Sequence, residues 1–96
     1  MNRTAYLAGE VTGLSQGQGI EKFNMMASKL SDMGYSVVKP QAVNDDTAAG
    51  DASVRNDIKK MLECDEVHML PDWQNSREAQ LERDIALRLG MEVVYH

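Results

Sequence analysis

The sequence predicts an α/β fold with a parallel sheet, because short apolar runs alternate with helical segments along the whole chain. The apolar runs are four or five residues long, which is typical of strands. The segments between them place apolar residues at steps of three and four, which is typical of amphipathic helices. This alternation favours right-handed crossovers and a four-stranded parallel sheet in the order 2-1-3-4.

Each element has its own signal in the sequence. The predicted strands are residues 5–8, 35–38, 67–70 and 91–95. The predicted helices are residues 20–33, 54–62 and 79–89. Gly34 and Gly90 follow the first and third helices, where glycine commonly ends a helix. Residues 41–52 are polar, acidic and small, and are predicted to form a loop. With helices on both faces of the sheet, the fold is a three-layer, Rossmann-like one.

Length and composition limit the class of protein. The 96 residues predict one domain, residues 1–96, and 43% of them are hydrophobic, which is ordinary for a globular chain. The net charge of −5 argues against binding of a nucleic-acid polymer, which needs a basic face. A single cysteine cannot form an internal disulfide, and we expect neither a signal peptide nor a membrane span. We therefore expect a cytoplasmic protein.

The ligand edge of such a sheet lies outside the carboxyl ends of its strands, where the strand order reverses. Here that point falls between the first and third strands. The loops after these strands carry Gly9, Gly13, Asp72 and Trp73, which are candidate ligand-binding residues. The glycines either form a permissive turn or let backbone N–H groups approach a ligand. Trp73 either stacks on a ligand ring or shields the end of the sheet.

Two acidic residues interrupt the apolar stripe of the third helix. At 100° per residue, Glu78 and Glu82 both fall within the stripe that Ile85 and Leu89 define. A carboxylate that faces a core is costly unless it is paired or neutral. The two residues are also four apart, where like charges repel and raise a pKa. Both acids are therefore candidate site residues.

Structural explanations exist for both acids. Asn75 could cap the helix, with Glu78 completing a capping box. Glu82 lies too far into the helix for a cap, but it could pair with Arg55 or Lys39. The functional interpretation of Glu82 is a buried carboxylate beside a ligand pocket, usable as a nucleophile or a general acid.

Metal chemistry is not indicated by the sequence. His68 and His96 are far apart and lack a partner cysteine, so we expect no metal site. His68 is interpreted as a packed strand residue, and Cys64 as a small core residue.

Several motifs together resemble the nucleoside 2-deoxyribosyltransferase-like superfamily, and its short, uncharacterised members in particular. They are the Tyr6-Leu7-Ala8-Gly9 run, Asp57, Asp65, the Leu-Pro-x-Trp-x-x-Ser run at residues 70–76, and Ser76 followed by Glu82. The resemblance spans nearly the whole chain. Each motif is weak by itself, whereas their order and spacing are fairly specific.

The resemblance implies cleavage of an N-glycosidic bond. Glu82 matches the residue that attacks the anomeric carbon to give a covalent glycosyl intermediate, which a base or water resolves. Tyr6 matches a tyrosine that orients this carboxylate, and Asp57 matches an acid near the leaving base. Ser76 matches a residue that contacts the sugar or a phosphate. A cation-like sugar is stabilised by a buried carboxylate, so no metal or organic cofactor is expected.

The chain departs from the family pattern at two positions. Glu78 stands where relatives usually have glycine, and Glu10 where they often have proline or serine. Both changes add negative charge near the expected ligand, which favours a neutral nucleoside over a nucleotide. Glu78 is therefore also a candidate substrate-binding residue.

Three functions are compatible with the sequence. The first is an enzyme, a transferase or hydrolase acting on 2′-deoxynucleosides through Glu82. The second is a module that binds a nucleoside or nucleotide derivative without turnover, and the third is a purely structural protein. The third leaves the two inward-facing acids unexplained. We also expect a homodimer, because the resemblance implies one and because Met25 and Met26 offer extra apolar surface.

Overall fold

The computed structural model describes residues 3–10, 16–40 and 51–96, without the side chains of residues 16–20 and 51–53. In this part of the chain, the strands are β1 (Thr4–Ala8), β2 (Ser36–Val38), β3 (Glu66–Met69) and β4 (Glu92–Tyr95). The helices are α1 (Gln16–Asp32), α2 (Asp51–Leu62) and α3 (Arg77–Arg88), with a 3-10 turn at Trp73–Asn75. The strands form one parallel sheet in the order β2-β1-β3-β4, which confirms the predicted α/β fold.

The register of the central strands assigns each side chain to one face of the sheet. Ala5 lies opposite Glu66, and Leu7 lies opposite His68, so all four point to the same face. Tyr6 and Ala8 point to the other face. Each face has its own apolar cluster, and the helices complete both.

The face shared by Ala5 and Leu7 packs against α1. Its buried cluster includes Phe23 and Leu30 from that helix, together with Leu70 after β3. The face shared by Tyr6 and Ala8 packs against α2 and α3. Its buried cluster consists of Tyr6, Ala8, Met61, Cys64, Val67, Met69, Ala79 and Ala86. Cys64 is thus a buried core residue, as predicted.

Helix boundaries differ from the predicted ones by a few residues. The prediction of a loop at residues 51–52 is wrong, because α2 already begins at Asp51. An acidic residue is favourable in the first turn of a helix, where the dipole is positive, so an acidic segment can begin a helix as well as form a loop. Residues 41–50 of the predicted loop lie outside the described residues. Gly34 and Gly90 have φ angles of 99° and 75°, which explains why glycine follows α1 and α3.

Candidate active site

A buried tyrosine and a buried glutamate meet between the sheet and α3. The Tyr6 hydroxyl donates a hydrogen bond of 2.5 Å to Oε2 of Glu82. Tyr6 is fully buried and Glu82 is 4% exposed. The inward direction predicted for Glu82 from its helix phase is therefore correct. Its partner is Tyr6 rather than Arg55 or Lys39, because Lys39 donates to Asn24 and Arg55 is exposed.

Burial changes the acidity of this carboxyl group. Loss of solvation raises the pKa of Glu82, while the hydrogen bond from Tyr6 lowers it, and the charges of Asp57 and Glu78 raise it further. The resulting pKa is about 8, compared with an ordinary value of 4.5. The pKa of Tyr6 is also raised, first by burial and then by the charges of Glu82 and Asp57. Tyr6 therefore remains a hydrogen-bond donor at neutral pH.

Asp57 belongs to the same group of residues. It lies on α2, is 8% exposed, and raises the pKa of both Tyr6 and Glu82 through its charge. The structure thus places the three residues that were predicted to be catalytic around one buried position. Because two neighbouring carboxyl groups cannot both ionise easily, one proton is favoured on the pair.

Ser76 begins α3. Its Oγ accepts a hydrogen bond of 3.1 Å from the backbone N–H of Ala79, so Ser76 is the N-cap. The predicted cap at Asn75 is wrong, because Asn75 lies in the 3-10 turn before the helix. The predicted inward direction of Glu78 is also wrong, because Glu78 is exposed. The buried side of α3 runs through Ala79, Glu82 and Ala86, and Leu89, which was used to define the stripe, is 62% exposed like its neighbour in phase, Glu78.

Removal of the cap should weaken α3. We expect Ser76→Ala to lower the free energy of unfolding by about 1 kcal/mol, because the N–H of Ala79 loses its acceptor. Chemical denaturation measures this change, and Ser28→Ala on the exposed face of α1 is the matched control. Equal stability of the two variants would show that the cap contributes nothing.

Gly9 lies where the loop after β1 passes close to the loop after β3. A Cβ atom at Gly9 would lie 2.9 Å from Cβ of Leu70 and 3.1 Å from Oδ1 of Asp72. Oδ1 of Asp72 also accepts the backbone N–H of Glu10 at 3.1 Å, and Oδ2 forms an ion pair with Lys22. Both Asp72 oxygens therefore hold the loops together, which gives this predicted ligand-binding residue a structural role. Gly13 lies outside the described residues.

Trp73 is partly covered by its neighbours. The guanidinium of Arg83 lies 5.0 Å from the centre of the Trp73 ring, and the ring of Tyr95 lies 5.8 Å away. Arg83 also donates a hydrogen bond of 2.7 Å to the hydroxyl of Tyr95. Trp73 packs against the apolar cluster around Tyr6. These contacts favour the interpretation that Trp73 shields the end of the sheet.

A groove lies between α2 and α3. It has a volume of about 750 Å³. Its lining residues are Val54, Arg55, Ile58, Lys59, Arg77, Glu78 and Leu81. Glu78 lines this groove, and its charge raises the pKa of Glu82 one turn further along α3. This groove depends on how the two helices pack, so no local pattern in the sequence predicted it.

A second polar cluster occupies the opposite face of the sheet. His68 donates from Nε2 to Oε1 of Glu66 at 2.8 Å, and Nδ1 of His68 lies 2.8 Å from Nε2 of His96. Glu66 also forms an ion pair with Arg3. His68 is a buried strand residue, as predicted, but the expectation that it lies far from His96 is wrong. The parallel register of β3 and β4 brings the two histidines together, which sequence distance cannot reveal.

The fold and the site define a doubly wound α/β protein with a buried Tyr–Glu–Asp group under its ligand edge. The chain belongs to a family described as a domain of unknown function, DUF4406, whose profile matches residues 3–95. A search of the curated proteins found no match. In the described part of the chain, no helix is long and apolar enough to cross a membrane. No three His, Cys, Asp or Glu side chains of the described residues form a group suited to a metal ion.

Proposed function

We propose that the protein cleaves or transfers the N-glycosidic bond of a 2′-deoxynucleoside-like substrate, with Glu82 as nucleophile. The observation that carries the proposal is the 2.5 Å hydrogen bond from Tyr6 to a glutamate that is 4% exposed and lies near Asp57. An ion pair on the surface needs neither burial nor a buried hydrogen-bond donor. A nucleophile, in contrast, must be oriented and partly desolvated. The resemblance to the nucleoside 2-deoxyribosyltransferase-like superfamily supports the same chemistry.

The proposed reaction follows from the placement of these groups. Tyr6 holds Oε2 of Glu82, so Oε1 attacks the anomeric carbon of the sugar. The C–N bond to the base breaks, its electron pair moves to the base nitrogen, and Asp57 supplies a proton there. A second base or water then attacks the anomeric carbon and releases Glu82. For this step the single proton that the Asp57–Glu82 pair favours must lie on Asp57, so that Glu82 attacks as a carboxylate and Asp57 protonates the base.

Base exchange tests the proposal directly. The protein is incubated with each natural deoxynucleoside and a different free base, and the products are separated by chromatography. We expect a new nucleoside or a released base, and a loss of about 10²- to 10⁴-fold in rate for Asp57→Asn, which removes the proton donor. Glu63→Gln, at an exposed acid just after the same helix, is the control. No exchange and no released base with any deoxynucleoside would refute the enzymatic function.

The pH profile gives a further prediction. Because the Asp57–Glu82 pair loses its last proton near pH 8, kcat/KM should fall as pH rises through that value, since no group is then left to protonate the leaving base. In Tyr6→Phe the hydrogen bond that lowers the pKa of Glu82 is absent, so the midpoint should move to higher pH. Steady-state kinetics between pH 5 and pH 10 measure both midpoints. A midpoint unaffected by Tyr6→Phe would mean that Tyr6 does not position the nucleophile.

A binding module without turnover is the second candidate. It is favoured by the raised pKa of Glu82, because a carboxyl group that is protonated at neutral pH donates a hydrogen bond but does not attack carbon. In that case a deoxynucleoside binds without release of its base. Calorimetry of binding, followed by recovery of the intact ligand, separates this outcome from catalysis.

The proposal extends to the type of substrate and to assembly. A neutral nucleoside is favoured over a nucleotide, because Glu78 at the start of α3 would repel a phosphate there. Met25 is 67% exposed and lines an apolar groove of about 510 Å³ together with Met26 and Leu70. We assign this groove to contact with a second copy in a cytoplasmic homodimer. Sedimentation at micromolar concentration tests this assembly, and a monomer would contradict it.

A further inference from the structure

We propose that the groove between α2 and α3 is a docking site for an acidic amphipathic helix of a partner protein. Both helices cover the same face of the sheet, and the groove between them has a volume of about 750 Å³. A helix that lies along such a groove contacts both walls, which is a common way for proteins to bind an amphipathic helix. The inference does not rest on the proposed function, because it uses neither Glu82 nor Asp57.

Each wall of the groove carries apolar side chains that are one helical turn apart. They are Val54, Ile58 and Leu62 on α2, and Leu81 and Ile85 on α3. Residues four apart lie on the same side of a helix, so each set forms a row along its wall. Leu62 is 47% exposed and Leu81 is 45% exposed. The rows therefore leave apolar surface for a partner to cover, over a length of about two helical turns.

The groove also concentrates positive charge. Arg55, Lys59 and Arg77 line it and are exposed. Within the part of the chain that the structure describes, none of the three forms an ion pair. The acidic lining residue is Glu78, whose Oε2 accepts a hydrogen bond of 3.4 Å from the Ser76 hydroxyl. The groove is therefore positive on a chain whose net charge is −5.

This charge decides between the possible occupants. A second copy that presented the same groove would bring two sets of cations together, and like charges across an interface are costly. An anionic membrane would attract the cations, but it would repel the acidic remainder of the chain, and a flat surface does not follow a groove between two helices. An acidic amphipathic helix meets both requirements, because its apolar side covers the leucines and its carboxylates pair with the cations.

A synthetic peptide tests the inference by fluorescence anisotropy. The labelled probe is a helical peptide of about 18 residues, with leucines at steps of three and four, glutamates beside them and alanines elsewhere. A second peptide has lysine in place of every glutamate. We expect the acidic peptide to bind at micromolar concentration and the basic peptide at least about 10-fold more weakly. Added salt should weaken binding of the acidic peptide, because it screens exposed charges.

Variants on the two walls locate the binding. Lys59→Glu and Leu81→Ala should each weaken binding of the acidic peptide about 5- to 10-fold, because the first reverses a charge and the second removes apolar contact area. Lys60→Glu is the matched control on α2, and Leu87→Ala is the control on α3. Both control residues are exposed, and neither lines the groove. We expect the controls to bind the peptide as the unaltered protein does.

Nuclear magnetic resonance of the unaltered protein keeps the result independent of misfolding in a variant. Addition of the acidic peptide should shift the amide signals of α2 and α3 around the groove. Failure of the acidic peptide to bind, equal binding of the basic peptide, or binding that Lys59→Glu and Leu81→Ala leave unchanged would overturn the proposal. Binding to phosphatidylserine vesicles without binding to the peptide, or a dimer that Leu81→Ala dissociates, would also overturn it. None of these measurements depends on base exchange.

Discussion

Glu82→Gln is expected to make the protein more stable than the unaltered chain at pH 9 and to remove a pH dependence of stability between pH 4.5 and pH 8. The pKa of Glu82 is about 8 in the folded protein and 4.5 as its ordinary value. In this interval the native state binds more protons than the unfolded state. The free energy of unfolding therefore falls as pH rises, and the contribution of the protonated carboxyl is lost above pH 8.

The size of the effect follows from the pKa difference. Each unit of pKa corresponds to about 1.4 kcal/mol, so the variant should gain roughly 3–5 kcal/mol relative to the unaltered protein at pH 9. Glutamine matches the shape of the protonated acid and still accepts the hydrogen bond from Tyr6. Below pH 4.5 the two proteins should be similarly stable.

Denaturation curves recorded between pH 4 and pH 9 measure this change. Glu78→Gln is the matched control, because Glu78 is an exposed acid one turn earlier on α3. It should have a smaller effect, through its charge on Glu82. If Glu82→Gln keeps the full pH dependence of the unaltered chain, Glu82 does not hold a proton in the folded state. The same variant should give no base exchange in the assay of function.

Gly9→Ala is expected to destabilise the protein by about 2–3 kcal/mol, because the new methyl group overlaps atoms that cannot easily move. The nearest atom is Cβ of Leu70 at 2.9 Å, which is fixed to the backbone directly after β3. The next is Oδ1 of Asp72 at 3.1 Å, which holds the N–H of Glu10. Relief of the overlap therefore requires the loop after β1 and the loop after β3 to separate.

A comparison with Gly34→Ala isolates the cause. Gly34 has a φ of 99° but no atom within 4 Å of the position of a Cβ, so its replacement costs only the backbone strain, about 1–2 kcal/mol. Gly9 has no positive φ, so its cost is steric. Chemical denaturation compares the variants, and Gly9→Ser should be at least as destabilising as Gly9→Ala. Stability of Gly9→Ala within about 0.5 kcal/mol of the unaltered chain would contradict a close approach of the loops.

Local patterns in the sequence were sufficient for the fold. Apolar runs of strand length and helical stripes between them predicted the sheet order, because parallel strands joined by helices have few permitted arrangements. The same periodicity placed Glu82 inward, in the middle of α3, where the helix packs against the sheet. It failed for Glu78, because the buried side of α3 is set by its packing and runs through Ala79, Glu82 and Ala86 rather than through Leu89.

The sequence by itself determined the order of the sheet and the inward direction of Glu82, since these depend on residue periodicity and chain connectivity. The tertiary structure decided which side chains meet. It paired Glu82 with Tyr6, fixed Asp72 between two loops, and joined His68 to His96. These contacts connect residues on different elements, and their geometry depends on strand register and helix packing, which no local pattern encodes.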